Sequence, residues 1–170
     1  ATGVQDAMPG ADHQVAYADG LATAATTDAA DLRKGWLSGE EVPEGLSIDQ
    51  GMRWRLVTAL ARVGRVGEDE IAAELQRDNT ISGSEQAAGA RAAMPTAQAK
   101  QAAWQRATTD DSVPNETYRQ LVMQFIQPDQ TEVLSPYVDP YLELCKAIDS
   151  HEGQWAKAGH AQVQNALMWL

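Results

Sequence analysis

The chain has 170 residues, of which 44% are hydrophobic and only 6% aromatic, and its formal net charge is −11. This length suffices for one ordinary domain with a sizeable core. The negative charge argues against a nucleic-acid partner, which needs a basic surface, and against an anionic membrane surface. Much of the hydrophobic content is alanine, and no run of alternating β-branched residues predicts a strand, so we expect helices.

Helix-forming segments follow one another along the chain and are separated by turn residues. The first ten residues are expected to be irregular. After them, helices are expected to begin near residues 12, 28, 49, 67, 83, 96, 114, 139 and 152. The expected N-cap residues are Asp28, Asp49, Ser82 or Ser84, and Thr96. Pro95 should end the fifth of these helices, and Pro114 suits the first turn of the seventh.

The spacing of these helices indicates how they are stacked. The starts at 49, 83 and 114 are 34 and 31 residues apart, which is typical of paired-helix repeats. We therefore predict an all-α fold, an α-solenoid of stacked antiparallel helix pairs (HEAT- or armadillo-like) with about nine to ten helices. A compact helical bundle is the alternative.

The predicted domain organisation is a single helical-repeat domain over residues 11–170. The chain begins at Ala1 without a methionine and ends at Leu170 within an apolar run. Helices usually end with glycine, asparagine or a basic last turn. We therefore expect a fragment of a longer protein, excised as a domain.

The lone cysteine, Cys145, excludes an internal disulfide. It lies among apolar residues, so we expect a buried thiol and not a nucleophile. A reducing, cytoplasmic setting fits this cysteine usage. No stretch approaches the roughly 18 apolar residues of a membrane-spanning helix.

One segment near the end of the chain looks catalytic at first sight. It reads His151-Glu-Gly-Gln-Trp155 and begins like the zinc-peptidase motif His-Glu-x-x-His, in which two imidazoles one helical turn apart bind the metal. Here the second histidine is replaced by Trp155, which cannot bind zinc, and His13 and His160 do not restore the spacing. We therefore expect no catalytic residue and no metal ligand in this chain.

Four arginines, Arg53, Arg55, Arg62 and Arg65, form a mildly basic patch in an otherwise acidic chain. The patch is either a solvated helix face or a clamp for a carboxylate, since guanidinium binds carboxylates in a bidentate manner. Trp54 lies off the apolar face of its helix. It is either a packing anchor, like the other tryptophans, or part of a second interface.

An ordered series of residues resembles a known family, and it covers most of residues 12–170. It begins with Glu44-Gly-Leu-Ser-Ile-Asp-Gln-Gly-Met-Arg-Trp54 and continues from Gly67 to Trp104. The series includes Glu70-Ile-Ala-Ala-Glu-Leu75, Pro95-Thr96, Lys100, Pro114-Asn115 and the segment 130–141. These elements resemble the C-terminal helical domain of actinobacterial aminopeptidase N, which is shared with the endoplasmic-reticulum aminopeptidases.

The resemblance implies a zinc metallo-aminopeptidase whose active site lies in an earlier domain. Family enzymes carry His-Glu-x-x-His and Gly-x-Met-Glu-Asn there, and neither motif occurs in this chain. The resemblance therefore implies a noncatalytic domain that caps the active-site chamber and contacts the peptide substrate. It also implies zinc only in the catalytic domain of the same polypeptide, which would be a partner of this domain.

The candidate peptide-contact residues are Arg53, Trp54 and Arg55. At least one of the two arginines is expected to face the chamber and attract a peptide carboxylate. The alternative function is a free-standing helical-repeat scaffold that binds a partner protein. A natural reading frame that began near Ala1 would favour that alternative.

Overall fold

The computed structural model describes residues 2–24, 27–110 and 112–157. These residues form ten α-helices and no strand, so the prediction of an all-α fold is confirmed. The helices are α1 (Thr2–Asp6), α2 (Asp12–Thr23), α3 (Ala30–Ser38), α4 (Gln50–Arg62), α5 (Glu68–Arg77), α6 (Ile81–Ala93), α7 (Ala97–Thr109), α8 (Asn115–Phe125), α9 (Thr131–Leu134) and α10 (Val138–Asp149). Two 3₁₀ turns, Ser135–Tyr137 and Gly153–Lys157, flank α10.

From α2 to α8, each even-numbered helix packs against the next even-numbered helix. Helices α2, α4, α6 and α8 follow one another in contact and form what we call the inner row. The outer helices α3, α5 and α7 pack on this row: α3 on α4, α5 on α6, and α7 on both α6 and α8. Stacked helix pairs produce this pattern. The more specific HEAT- or armadillo-like solenoid stays a prediction.

Buried side chains join the C-terminal ends of three helices of the inner row, α4, α6 and α8. Gln130 donates from Nε2 to the carbonyl oxygens of Arg62 and Ala93, each at 2.8 Å. Lys100 donates from Nζ to the carbonyl oxygens of Ala92 and Phe125, each at 2.7 Å. These carbonyls belong to the last turns of α4, α6 and α8 and have no partner within their own helices. The three C-termini therefore lie side by side.

Small side chains allow α6 to pack closely at the centre of the row. Five of its alanines are at most 1% exposed, namely Ala87, Ala88, Ala90, Ala92 and Ala93. Gly89 faces α8, where an added Cβ would lie 3.2 Å from Gln124 Cγ. The distance between two packed helices is set by the side chains at their contact. The alanine-rich composition is therefore what brings α4, α6 and α8 together.

Local capping chemistry sets several helix boundaries as predicted. The Asp49 carboxylate accepts a hydrogen bond from the Met52 backbone N–H at 2.7 Å, and the Thr96 hydroxyl accepts one from Ala99 at 3.2 Å. Helix α5 begins after Gly67, whose N–H donates to the Glu70 carboxylate at 3.0 Å. Helix α6 ends at Ala93, before Pro95. These side chains satisfy backbone groups that a helix end leaves unpaired.

Two capping predictions are wrong. The N-cap of α6 is Thr80 and neither Ser82 nor Ser84; its hydroxyl accepts from the Gly83 N–H at 3.0 Å. The glycine at 83 explains the earlier start, because only a residue without a side chain fits there against Asp78. The N-cap of α3 is Ala29 and not Asp28.

Both ends of the chain differ in part from expectation. Residues 1–10, expected to be irregular, include the helix α1, and its Val4 is packed into a core cluster with 3% exposure. The last helix, expected from residue 152 through Leu170, is a 3₁₀ turn over Gly153–Lys157, and the rest of that prediction lies outside the described residues.

Four of the five tryptophans can be placed, and three of them are packing anchors. Trp36, Trp54 and Trp155 are buried, with 1%, 2% and 6% exposure. Trp104 is partly buried against the Phe125 and Tyr137 rings, at centroid distances of 6.1 and 5.3 Å. Trp169 lies outside the described residues. Cys145, expected to be buried, is only partly buried; it packs against the hydrophobic cluster that contains Phe125 and Trp155.

Candidate functional site

A polar groove of about 140 Å³ lies on the inner row. Its lining comes from α2, α4, α6, α8 and the second residue after α8, and no residue of α3, α5 or α7 contributes. The lining residues are Thr23, Arg55, Thr58, Ala59, Arg62, Gln86, Gln124 and Gln127. We call this surface the inner-row groove. Two guanidinium groups and three amides give it hydrogen-bonding capacity without a negative charge of its own.

Arg55 is the most loosely held cation in the inner-row groove. Its Nη2 lies 2.8 Å from Asp19 Oδ1, and the two side chains are 41% and 45% exposed. No hydrogen bond to Asp19 Oδ1 is formed, so charge alone holds the pair together. Exposed ion pairs of this kind contribute only about 0–1 kcal/mol to stability. A competing carboxylate can therefore displace Asp19 from Arg55 at little cost.

Arg62, the second cation of the inner-row groove, is held more firmly. Its Nε and Nη2 both donate to Asp129 Oδ1, at 3.2 and 2.8 Å. Its side chain is only 17% exposed. Arg62 thus connects the groove to the polar groups at the C-terminal end of the row, which we call the end cluster (Arg62, Lys100, Asp129 and Gln130). Lys100 and Gln130 are buried, whereas the Asp129 side chain is 48% exposed.

Lys100 is the buried ionisable group of the end cluster. It is fully buried and lies with Nζ 5.3 Å from the centroid of the Phe125 ring. Burial lowers the pKa of Lys100 to about 7; the charge of Asp129 opposes this shift and that of Arg62 adds to it. The carbonyl oxygens that accept its hydrogen bonds are the negative ends of two helix dipoles. Lys100 therefore serves the packing of α6 against α8.

Arg53, a predicted peptide-contact residue, binds other residues of this domain. Its guanidinium binds Glu74 in a bidentate manner, with Nε–Oε1 and Nη2–Oε2 distances of 2.9 and 2.6 Å, and Nη1 donates to the Leu37 carbonyl at 2.8 Å. Burial alone would raise the pKa of Glu74, but hydrogen bonds from Arg53, Arg77 and Gln50 hold it below its usual range. The pair joins α4 to α5.

Trp54, the other neighbour of Arg55, is also part of the core. It is 2% exposed, and its indole Nε1 donates to Asp78 Oδ2 at 2.7 Å. Of the three candidate contact residues, the structure thus brings only Arg55 into the inner-row groove. Peptide contact by any of the three stays a prediction.

The glutamines of the groove were not singled out from the sequence, although a signal existed. Gln124 and Gln127 are three residues apart, which is the spacing of neighbours on one helix face, although α8 ends at Phe125 and Gln127 lies two residues beyond it. Gln86 joins them only because α6 packs on α8, a relationship that a linear pattern does not contain.

The segment that begins like a zinc motif does not form one. His151 lies in the turn after α10 with a positive φ of 54°, and its Nδ1 is 3.0 Å from the Asp149 carbonyl oxygen. Trp155 points into the core. In residues 2–24, 27–110 and 112–157, no three His, Cys, Asp or Glu side chains come together as metal ligands.

Comparison with known proteins identifies the family. Residues 13–161 match the family described as the ERAP1-like C-terminal domain. The chain belongs to this family. It is also 41% identical over 165 residues to aminopeptidase N of Streptomyces lividans, an alignment that includes 96% of this chain and 19% of that relative. The resemblance to the C-terminal domain of actinobacterial aminopeptidase N is therefore confirmed.

The part of the chain that the structure describes has no helix long and apolar enough to cross a bilayer. This ERAP1-like domain combines a row of short helices, a polar groove containing Arg55 and the end cluster. The chain spans about a fifth of the length of the Streptomyces relative.

Proposed function

We propose that this chain is the noncatalytic C-terminal domain of a zinc-dependent aminopeptidase N, and that it caps the active-site chamber and contacts the peptide substrate. Membership of the ERAP1-like C-terminal family and the match to 19% of the Streptomyces enzyme support the parent enzyme. The inner-row groove is the observation that supports peptide contact, because its one weakly held guanidinium, Arg55, stands among uncharged amides.

The chemistry of the groove suits a peptide of varied sequence. A glutamine amide both donates and accepts hydrogen bonds, so Gln86 and Gln124 match the N–H and C=O groups that every peptide carries. Arg55 adds a bidentate site for a carboxylate, whether from an acidic side chain or the chain terminus. Contacts remote from the scissile bond help to hold the other end of the substrate in a productive position.

The chain's own residues do not suit a zinc centre, since the described histidines and carboxylates do not cluster. We accordingly place zinc and the bond-breaking chemistry in a catalytic domain of the same polypeptide. That domain and the peptide are the proposed partners. A cytoplasmic location is part of the proposal and is supported by the single cysteine, Cys145, which indicates a reducing environment.

The proposed peptide contact can be tested in the full-length enzyme with Arg55→Ala. We expect the KM for peptides of about eight to ten residues to rise by roughly fivefold, corresponding to about 1 kcal/mol. The KM for an aminoacyl-anilide, too short to reach the groove, should stay unchanged. Arg65→Ala is the matched control, because Arg65 lies just beyond the same helix and does not line the groove. Equal effects of Arg55→Ala on long and short substrates would refute the contact.

The noncatalytic role has its own test. The 170-residue chain, supplied with zinc, should not hydrolyse any aminoacyl-anilide. Turnover by the pure chain that is abolished by a chelator would overturn this part of the proposal and leave the family assignment intact.

A further inference from the structure

We propose that a second groove, on the side of α6 that faces α5 and α7, binds a small molecule with a free carboxylate on an apolar group of about leucine size. This groove, called the outer groove, has a volume of about 280 Å³. Its lining residues are Glu68, Ala88, Arg91, Ala92, Met94, Thr96, Gln98, Ala99, Ala102, Ala103, Arg106 and Leu121. None of them lines the inner-row groove, so the proposal goes beyond the proposed function and does not depend on it.

The floor of the outer groove is apolar and made of short side chains. Ala88, Ala92 and Ala103 are 1%, 0% and 5% exposed, and Leu121 closes the far side from α8. Alanines on both α6 and α7 leave a space that larger residues would fill. Its volume lies just below the usual range for small-molecule sites, about 300–1,000 Å³. The space therefore suits one small apolar group and not a large cofactor.

Two arginines that line the outer groove, Arg91 and Arg106, differ in their partners. Arg91 is already neutralised by Glu68 through three hydrogen bonds of 2.6 to 3.0 Å. Arg106 is exposed and forms no close ion pair with any described residue. The Asp110 carboxylate accepts its hydrogen bonds from Ser112, the hydroxyl at 2.6 Å; these bonds lower the pKa of Asp110, and the charge of Arg106, four residues away, adds to this shift. Arg106 thus offers a guanidinium without a close carboxylate beside an apolar floor.

An arginine without a close ion pair is unusual in the part of this acidic chain that the structure describes. Six of its nine arginines form ion pairs, namely Arg53, Arg55, Arg62, Arg77, Arg91 and Arg119. Arg33 donates to carbonyl oxygens of α2, which leaves Arg65 and Arg106. Of these two, Arg106 borders the outer groove. In a chain with 24 acidic residues, an arginine at an apolar cavity that has no close ion pair with the described residues is complementary to an external carboxylate.

The expected ligand carries one negative charge. A planar guanidinium binds a carboxylate with two parallel hydrogen bonds. A net charge of −11 would repel a polyanion such as a nucleotide. The apolar floor selects for a hydrocarbon group next to the carboxylate, because its burial removes apolar surface from water.

Methionine-methyl NMR on the 170-residue chain tests the outer groove directly. Met94 lines this groove, whereas Met52 is buried elsewhere and Met123 is exposed on α8. We expect 4-methylpentanoate to shift the Met94 methyl signal in a saturable manner, with a dissociation constant of about 1 mM or lower. The Met52 and Met123 signals should not move. A Met94→Leu variant assigns the signal.

Matched ligands and variants test whether binding needs the charges of the ligand carboxylate and of Arg106. The neutral analogue 4-methylpentanamide should bind at least about tenfold more weakly, and so should 4-methylpentanoate to Arg106→Gln. Arg65→Gln should bind like the unaltered chain. The proposal is overturned if Met94 does not respond, if the amide binds equally well, or if Arg106→Gln has no effect. Binding of an acetylated leucine-terminated peptide without binding of 4-methylpentanoate would overturn it in favour of a peptide terminus.

Discussion

Lys100 on α7 donates a hydrogen bond from its buried Nζ to the Phe125 carbonyl oxygen on α8, at 2.7 Å, and lies 5.3 Å from the centre of the same residue's ring. A second bond of equal length goes to Ala92 on α6. One side chain thus joins three helices. Because this side chain is ionisable and fully buried, the contact makes stability depend on pH.

We predict that the chain becomes more stable as the pH rises from about 7 toward 10.5. Burial lowers the pKa of Lys100 from 10.5 to about 7 in the folded state, so between these values the unfolded chain binds one more proton. The free energy of unfolding should rise by about 2 kcal/mol between pH 7 and pH 9. Urea unfolding followed by circular dichroism measures it. Lys100→Met keeps the apolar length and should flatten this slope; an unchanged slope would contradict the assignment to Lys100.

Glu74 should contribute stability in the opposite pH range. Its pKa is lowered in the folded state, so its contribution is complete above about 4.5, its ordinary value, and is lost as the pH falls through the folded value. Glu74→Gln should lower the free energy of unfolding at pH 7 by about 2–4 kcal/mol, because it leaves the partly buried Arg53 charge without a charged partner. This loss of stability should become smaller as the pH falls through the folded-state pKa of Glu74, because the carboxylate is then protonated in the unaltered chain as well.

Glu116→Gln provides the matched control for Glu74. Glu116 pairs with Arg119 three residues away, and both side chains are more than 40% exposed. Its replacement should cost less than about 1 kcal/mol. Equal losses for the two variants would show that the Arg53–Glu74 pair is no more stabilising than a surface pair.

Replacement of two helical glycines should have effects of opposite sign. At Gly83 an added Cβ would lie 2.1 Å from the Asp78 carbonyl oxygen, whereas at Gly20 nothing lies within 4 Å. Gly83→Ala should destabilise the chain by about 2 kcal/mol or more. Gly20→Ala should stabilise it by about 0.5–1 kcal/mol through helix propensity. Thermal unfolding of the two variants measures both effects, and a stable Gly83→Ala protein would show that the α5–α6 turn is not tightly packed.

Trp54→Phe separates a packing role from peptide contact. Loss of the hydrogen bond to the Asp78 carboxylate should cost about 1–3 kcal/mol of stability. In the full-length enzyme the KM for long peptides should not change. A raised KM with unchanged stability would instead support Trp54 as a contact residue.

Helix positions could be predicted because they depend on neighbours in the sequence. The Asp49 and Thr96 caps each bond an N–H three residues away, so residue type and spacing suffice. The Thr80 cap was missed because Ser82 and Ser84 are equally good caps. What decides between them is the close approach of Gly83 to Asp78, which belongs to the folded turn.

The candidate site could be predicted only in part. Arg53 and Arg55 look equivalent in the sequence, yet Arg53 meets Glu74, 21 residues away, and Arg55 meets Asp19 across the inner row. Which arginine is available to a ligand depends on these distant partners. The same holds for Lys100, whose complete burial depends on how α7 packs against α6 and α8.

The hydrogen bonds of Gln130 and Lys100 tie the C-terminal ends of α4, α6 and α8 together. The bond from Trp54 to Asp78 also holds α4 against the segment that leads into α6. Buried side chains thus fasten α4 to α6 near both ends of their contact, so we expect these two helices to move as one rigid unit.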